Sequence, residues 1–322
     1  MNQINKENCC VCKACEQVCP KKAISFSLDE VGFEYPKIDN RKCINCQKCL
    51  KVCPFVNFQN SINYGTQHCY IVASKNDEIL LSSSSGGAFS LITNVLSEKV
   101  IVYGVEMDKE FNVFHSFSLN NKDIAKYRKS KYVKSNTHYI YCTIKEQLDL
   151  NETVLFTGTP CQCSGLKLFL GKEYENLIIV DLLCKSTPNN TLFKKYINSL
   201  EKKYKQKIIN IVMRNKSKID FTKKKDVKSY RVNTDIKIEL SNGNKIISSK
   251  NDWWMQAFLG GYLAYSSCFN CPFTQQNRVG DITIFDFWGL NDKSFKNYKG
   301  VSGVLTNSIK GEQIVKTIVD CD

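Results

Sequence analysis

Two cysteine runs near the start of the chain share one spacing. Cys9, Cys12, Cys15 and Cys19 are followed by Pro20, and Cys43, Cys46, Cys49 and Cys53 are followed by Pro54. Each run reads C-x2-C-x2-C-x3-C-P, the ligand spacing of a bacterial two-cluster ferredoxin, in which the fourth cysteine of one run crosses to the other cluster. The spacing therefore predicts one [4Fe-4S] cluster on Cys9, Cys12, Cys15 and Cys53 and a second on Cys43, Cys46, Cys49 and Cys19. Zinc sites usually pair two C-x2-C knuckles, without a third cysteine at the same interval. Such a chain moves single electrons. Cys10 breaks no spacing and reads as a bystander.

The ferredoxin unit takes about the first 60 of 322 residues, which leaves enough chain for a sizeable core. Met1 to Asn8 is polar, with no apolar leader segment, and thiolate ligands favour a reducing compartment. The longest mostly apolar stretch, Trp253 to Tyr265, spans 13 residues, contains Gln256 and is too short for a bilayer. The expectation is a cytoplasmic protein with no membrane span. The net charge of +14 is uneven: residues 201–250 hold 15 Lys and Arg against 5 Asp and Glu. That segment reads either as a solvated surface or as a docking face for an acidic electron-carrier protein, ferredoxin or flavodoxin. Lys223-Lys-Lys225 lacks a nucleic-acid-binding motif around it, so no nucleic acid is expected.

Between the cysteine runs, Ile24, Phe26 and Leu28 alternate with polar residues, and Asp29 to Gly32 supplies a turn into a return strand. Asn57 to Gln67 reads as a linker. Beyond it, strands are expected at Cys69–Ala73, Val100–Val105, Val113–Leu119, Val154–Thr157, Leu177–Leu183 and Ile282–Phe287. Helices are expected from Ala88 to Leu96, Pro160 to Leu170, Phe193 to Tyr204 and Trp253 to Tyr265, with a hairpin over residues 230–248. This uneven alternation predicts an α/β or α+β mixed-sheet core behind a small bacterial-type ferredoxin domain.

Two further constellations carry chemistry. Cys161 follows Thr159 and Pro160, an N-cap and first-turn pair, so it falls in a first helical turn, where the helix dipole favours a thiolate. Cys184 ends a strand, and Cys268 and Cys271 form a knuckle before Pro272. Together they suit a third [4Fe-4S] cluster, half of a zinc site, or buried structural cysteines. Ser82-Ser-Ser-Ser-Gly-Gly87 leads into a helix and suits a pyrophosphate, though it lacks the G-x-G-x-x-G fingerprint and equally suits a plain cap. His68, His115 and His138 are isolated in sequence, and no catalytic acid or base stands out.

Ser84-Ser-Gly-Gly-Ala-Phe89, Ser130-Lys-Tyr-Val-Lys-Ser135, Thr157-Gly-Thr-Pro-Cys-Gln162, Asp181-Leu-Leu-Cys184, Ser267-Cys-Phe-Asn-Cys271, Arg278-Val-Gly-Asp-Ile282 and Asp286-Phe-Trp-Gly289 occur in that order. This set resembles the beta subunit of coenzyme F420 hydrogenase and dehydrogenase over roughly residues 65–310. The resemblance implies an iron–sulfur flavoprotein oxidoreductase with an organic two-electron acceptor, either a deazaflavin like F420 or a biosynthetic intermediate. It divides the chain into a ferredoxin domain (1–60) and the two parts of a flavin-binding core (61–148 and 149–322). It implies FAD against Ser85, Gly86, Gly87, Ser130, Lys131, Tyr132, Gly158 and Thr159, and a core cluster on Cys161, Cys184, Cys268 and Cys271. A ferredoxin-type donor and a partner oxidoreductase subunit are the implied partners. The alternative is an electron-transfer subunit with no substrate of its own. Two departures bear on the acceptor pocket: Lys185-Ser-Thr-Pro188 stands where relatives often carry His-Gly-Val-Pro, and Phe285 replaces a usual glycine.

Overall fold

The computed structural model describes residues 6–96, 99–119, 123–216, 235–288 and 300–321. Lys223-Lys-Lys225, the start of the expected hairpin and Gly289 lie outside them. In the first unit, α1 (Ala14–Val18), β1 (Ile24–Leu28), β2 (Glu34–Ile38), α2 (Lys48–Lys51) and α3 (Pro54–Asn57) follow one another, with β1 and β2 antiparallel. The two cysteine loops repeat each other in backbone as well as in sequence. Val11 and Lys13 have φ of 53° and 61°, and the equivalent Asn45 and Gln47 have 54° and 59°. A left-handed residue costs roughly 1–2 kcal/mol without glycine, and a β-branched valine is an outlier there. Both loops hold this strained path at matching positions, which turns the chain tightly around its cysteines.

The core follows as β3 (His68–Val72), α4 (Asp77–Ser82), α5 (Ala88–Val95), β4 (Ile101–Met107), β5 (Val113–Ser118), α6 (Ile140–Asp149), β6 (Val154–Gly158), α7 (Pro160–Leu170), β7 (Leu177–Leu182) and α8 (Asn190–Tyr204). Next come β8 (Ile208–Asn215), β9 (Asp235–Leu240), β10 (Gly243–Ile247), α9 (Trp253–Gly260), β11 (Ile282–Asp286), β12 (Ser302–Thr306) and α10 (Ile309–Cys321). One mixed sheet has seven strands in the order β3-β12-β11-β7-β6-β4-β5. Strands β4, β6, β7 and β11 are parallel, and β5 and β12 run against their neighbours.

Alternation sorts the central strands onto two faces. Ile101, Tyr103, Val154, Phe156, Leu177 and Ile179 pack under α6 and α7 together with the ferredoxin unit. Val100, Val102, Leu155, Ile178 and Val180 pack under α5 and α10. Strands buried on both faces read as continuous apolar runs, which is why β6 and β7 are legible in sequence. A smaller sheet, β10-β9-β8, forms its own core with α8 and α9 around Trp254, Phe193 and Tyr196. The helix expected to reach Tyr265 stops at Gly260, because Gly261 caps it with φ 82°.

The stretch expected to be a linker is docked instead. Ser61 shares a 2.7 Å hydrogen bond with Ser164 on α7, and the Asn63 amide group donates to the carbonyls of Val279 and Gly280 at 3.0 and 2.8 Å. Across the same junction, Thr137 donates to the Cys12 carbonyl at 2.9 Å, and Gln17 accepts from the Tyr141 backbone at 2.9 Å. Gly165 completes the fit: a Cβ there would stand 3.0 Å from the Cys12 sulfur. The ferredoxin unit is thus built into the face of α7, the helix whose first turn carries Cys161.

Candidate electron-transfer site

In the ferredoxin unit, Cys19, Cys43, Cys46 and Cys49 line one small cavity closed by Pro20, Ile24, Ile38 and Ile44. Cys15 faces Cys9, Cys53 and Cys49, so Cys53 stands with two cysteines of the first run, while the Cys12 sulfur turns toward Gly165 on α7. Burial pushes the Cys9 thiol up to about 11 and raises that of Cys15 as well. Among the described residues, no three His, Cys, Asp or Glu side chains converge on a single-ion position.

A second cavity, of about 390 Å³, opens where the ferredoxin unit meets the core. Cys161, Cys184, Cys268 and Cys271 line it, with Cys10, Phe55 and Lys134. Thr159 and Pro160 start α7 as expected, and Gln162 reaches back to accept from the Thr159 amide and hydroxyl at 3.3 and 2.9 Å. The knuckle is tied to the strand end by Arg278, which donates to the carbonyls of Phe273 and Leu182 at 2.9 and 3.0 Å. Buried Asp181 accepts from the Gly280 backbone at 3.1 Å, so the Arg278-Val-Gly motif clamps the cysteine elements together.

Cys161 falls in the first turn of α7 as expected, in surroundings that act on its thiol. Contact with Cys10 and burial raise this thiol well above its ordinary range, against the opposing pull of Lys134. Burial also raises Cys184, Cys268 and Cys271, and their mutual repulsion adds to it. Four thiolates here need a strongly positive body between them, which fits an iron–sulfur cluster.

Lys134 answers part of that charge. It is buried, and its ammonium group donates to the Cys161 sulfur at 3.4 Å. Burial alone would lower it, but the facing sulfurs of Cys161, Cys10, Cys268 and Cys12 hold it above its ordinary value. Local sequence gives Lys134 no role of its own and leaves Cys10 a bystander; only the fold brings both to the cavity. Of the two departures, Lys185, Ser186 and Thr187 do line this cavity. Phe285 does not: it pairs with Gly303, and its ring covers the space where a Cβ would stand 2.3 Å away.

The serine–glycine loop has already spent many of its polar groups within the protein. The Gly86 amide donates to Ser302 at 2.9 Å, and the Ser85 hydroxyl donates to the Val301 carbonyl at 2.6 Å. A Cβ on Gly86 would meet the Val72 carbonyl oxygen at 2.3 Å, and Gly87 has φ 92°. Ser84 accepts from the Ser130 backbone at 2.8 Å, so the loop and the Ser130–Ser135 segment meet. Lys131 donates to the carbonyls of Lys126 and Arg128 at 2.7 and 2.8 Å, and Tyr132 packs on Phe258 with ring centroids 4.5 Å apart. Gly158 ends β6 opposite Asp181, and Thr159 lines the cysteine cavity, with its hydroxyl 3.2 Å from the Cys161 sulfur.

Cations unforeseen from sequence surround the loop. Lys216 is buried and donates to the carbonyls of Leu80 and Ser85, both at 2.7 Å. Arg214, aimed by a bulge in β8, pairs with Asp286, and Arg128 donates to Ser82 at 2.9 Å. The three histidines are accounted for in part by local partners: His68 lies 3.3 Å from Glu312, and the buried His115 ring is 2.9 Å from the Thr157 carbonyl.

The family model described as the C terminus of the coenzyme F420 hydrogenase/dehydrogenase beta subunit matches residues 151–322, more than half of the chain. The chain belongs to this family. A 4Fe-4S dicluster domain model matches residues 8–57, so this member of the family carries an N-terminal domain for two [4Fe-4S] clusters. It is an iron–sulfur protein of an oxidoreductase family. No curated protein matches it. A chain of the F420-reducing [NiFe] hydrogenase complex from Methanosarcina barkeri is 18% identical, with 81% of each chain covered and a TM-score of 0.45. No helix among the described residues is long and apolar enough to cross a membrane.

Proposed function

We propose that this chain is a flavin-dependent iron–sulfur oxidoreductase that takes electrons from a small acidic carrier protein and delivers them in pairs to an organic acceptor. In this reading residues 1–60 receive electrons, and residues 61–148 and 149–322 form one core, joined where β3 pairs with β12 from the far end of the chain. The ferredoxin ligand sets are Cys9, Cys12, Cys15 and Cys53, and Cys43, Cys46, Cys49 and Cys19. Cys161, Cys184, Cys268 and Cys271 hold a third [4Fe-4S] cluster. The observation that carries this is Lys134, a buried cation turned onto four cysteines at the junction with the ferredoxin unit. A buried charge needs an opposite one beside it, and thiolates on iron supply it.

The Ser130–Ser135 segment supports a flavin nearby. One end meets Ser84, and Lys134 at the other meets Cys161. FAD, when bound, exchanges single electrons for pairs. Arg128, Lys131 and Lys216 supply the positive surroundings for its diphosphate, while Ser85, Gly86, Gly87, Ser130, Tyr132, Gly158 and Thr159 shape and hold the walls around it. The donor docks where Cys46 is exposed, among the exposed Lys21, Lys48 and Lys51. A basic surface steers an acidic carrier, and rates then fall with ionic strength.

Anaerobic purification with iron, sulfide and flavin analysis tests the assignment. About twelve irons and one FAD per chain are expected for three clusters. About eight irons without flavin would sink it. The family's beta subunits keep a second reading open, an electron-transfer subunit with no substrate of its own. Reduction of a deazaflavin by the isolated chain, given reduced ferredoxin, decides for the enzyme.

A further inference from the structure

Residues 201–250 are strongly basic, and two of their cations turn inward. Strand β8 is bulged between Val212 and Asn215, and Arg214 within the bulge has φ 60°. A residue other than glycine keeps that left-handed path only where its surroundings fix it, and such strain gathers at functional sites. Arg214 is 5% exposed and Lys216 is 1% exposed. Arg214 donates through Nη1 to Asp286, the last residue of β11, which stands opposite Ser302 in the sheet. Ser302 in turn accepts from the Gly86 amide, and Lys216 holds the Ser85 carbonyl. Both cations are therefore tied to the serine–glycine loop.

The loop's own polar groups are spent, but those of the cations are not. Among the described residues the Arg214 Nε–H is buried without a hydrogen-bond partner. Lys216 has three N–H donors and commits two, to the Leu80 and Ser85 carbonyls. The charges of Arg214 and the half-buried Lys129 bear on Lys216, and Asp286 is the carboxylate that opposes them. Two buried cations and a third beside them thus answer to one carboxylate, and an unbalanced buried charge calls for an anion. We propose that Arg214 and Lys216 form an anion site for the phosphoryl groups of a diphosphate, with Asp286 as a built-in competitor for the Arg214 guanidinium. The pairing suits such a ligand, because a guanidinium can bond two oxygens at once and an ammonium adds a compact point charge. That the diphosphate belongs to FAD rests on the flavin reading of this chain; the site itself rests on the two cations.

The test titrates inorganic pyrophosphate into the flavin-free full chain, purified without oxygen, by calorimetry, and repeats the titration with FAD. Arg214→Gln should weaken pyrophosphate binding by about tenfold or more, the loss of one charged hydrogen bond. Asp286→Asn should act in the opposite sense and tighten it, because the carboxylate no longer competes for the guanidinium. FAD affinity should move in the same direction as pyrophosphate affinity in each variant. If Arg214→Gln does not fold, Arg214→Met combined with Asp286→Asn leaves neither charge unpaired and should bind pyrophosphate as weakly. The proposal is overturned if the wild-type chain binds no pyrophosphate, or if removing Arg214 leaves that affinity unchanged. Weakening or no change in Asp286→Asn also overturns it, by making the ion pair purely structural. The flavin reading fails separately. Pyrophosphate binding with the two opposite shifts but no uptake of FAD keeps the site and sinks the flavin, whereas FAD bound equally by wild type and Arg214→Gln keeps the flavin and sinks the site.

Discussion

The cysteine cavity and the serine–glycine loop both stand out in sequence, but the fold treats them in opposite ways. Around Cys161, four cysteines and a buried lysine line one cavity, and among the described residues no carboxylate lines it with them. Around Gly86, the amide and the neighbouring hydroxyl are already bonded to Ser302 and Val301. The difference lies in unspent bonding capacity. Soft donors gathered at a domain junction have little to do for the fold, whereas glycines wedged against Val72 and Ser302 have an immediate packing reason to be small.

The comparison breaks first if Cys161→Ser leaves the iron count unchanged. The expected result is loss of about four irons, with both ferredoxin clusters retained and two-electron transfer abolished. Gly86→Ala should act in the opposite sense, with full iron content but a destabilised fold. Its new methyl would meet backbone at 2.3 and 2.6 Å, which nothing flexible can relieve. A loss of about 3 kcal/mol or more is expected, read from the midpoint of chemical unfolding in the absence of flavin. Unchanged stability there would return Gly86 to a purely ligand-binding role.

The same contrast explains what the sequence could say. The ferredoxin ligands are legible because cluster geometry fixes their spacing, and β6 and β7 are legible because burial on both faces makes them continuously apolar. Strand β12 is not, since Ser302-Gly-Val-Leu-Thr306 has little strand character; the slot between β3 and β11 imposes it, with the Phe285 ring covering Gly303. Lys134, Lys216 and Arg214 look like ordinary members of a lysine-rich chain. Their burial depends on neighbours more than 25 residues away, which no local pattern encodes. Cys10 is hidden by its own motif, because adjacent ligands make it look redundant.

A smaller effect is expected from Lys134→Met, which keeps length and apolar volume but removes the charge. A hydrogen bond to a charged group contributes about 1.5–3 kcal/mol, so the reduced core cluster should lose roughly one to two decades of stability relative to the oxidised one. Iron content should hold. If the potential does not move, the lysine is a packing element and the cavity loses its clearest sign of charge.

The mildest test concerns pH at the loop. Burial lowers Lys216 from its ordinary value to about 7, and the nearby Arg214 and Lys129 push the same way. Below about pH 7 the lysine is charged in both folded and unfolded chains, and the full burial penalty is present. Between pH 7 and the ordinary lysine value the folded chain sheds its proton first, so flavin-free protein should gain stability as pH rises. A diphosphate beside Lys216 would keep it charged, and FAD binding would then take up a proton above pH 7. Affinity should fall as pH rises from 7 to 9, by at most about tenfold per pH unit for one proton. Lys216→Gln should flatten that slope while keeping a polar contact to the Leu80 and Ser85 carbonyls. A flat profile in the wild-type chain would put the diphosphate elsewhere and leave the serine–glycine loop as structure alone.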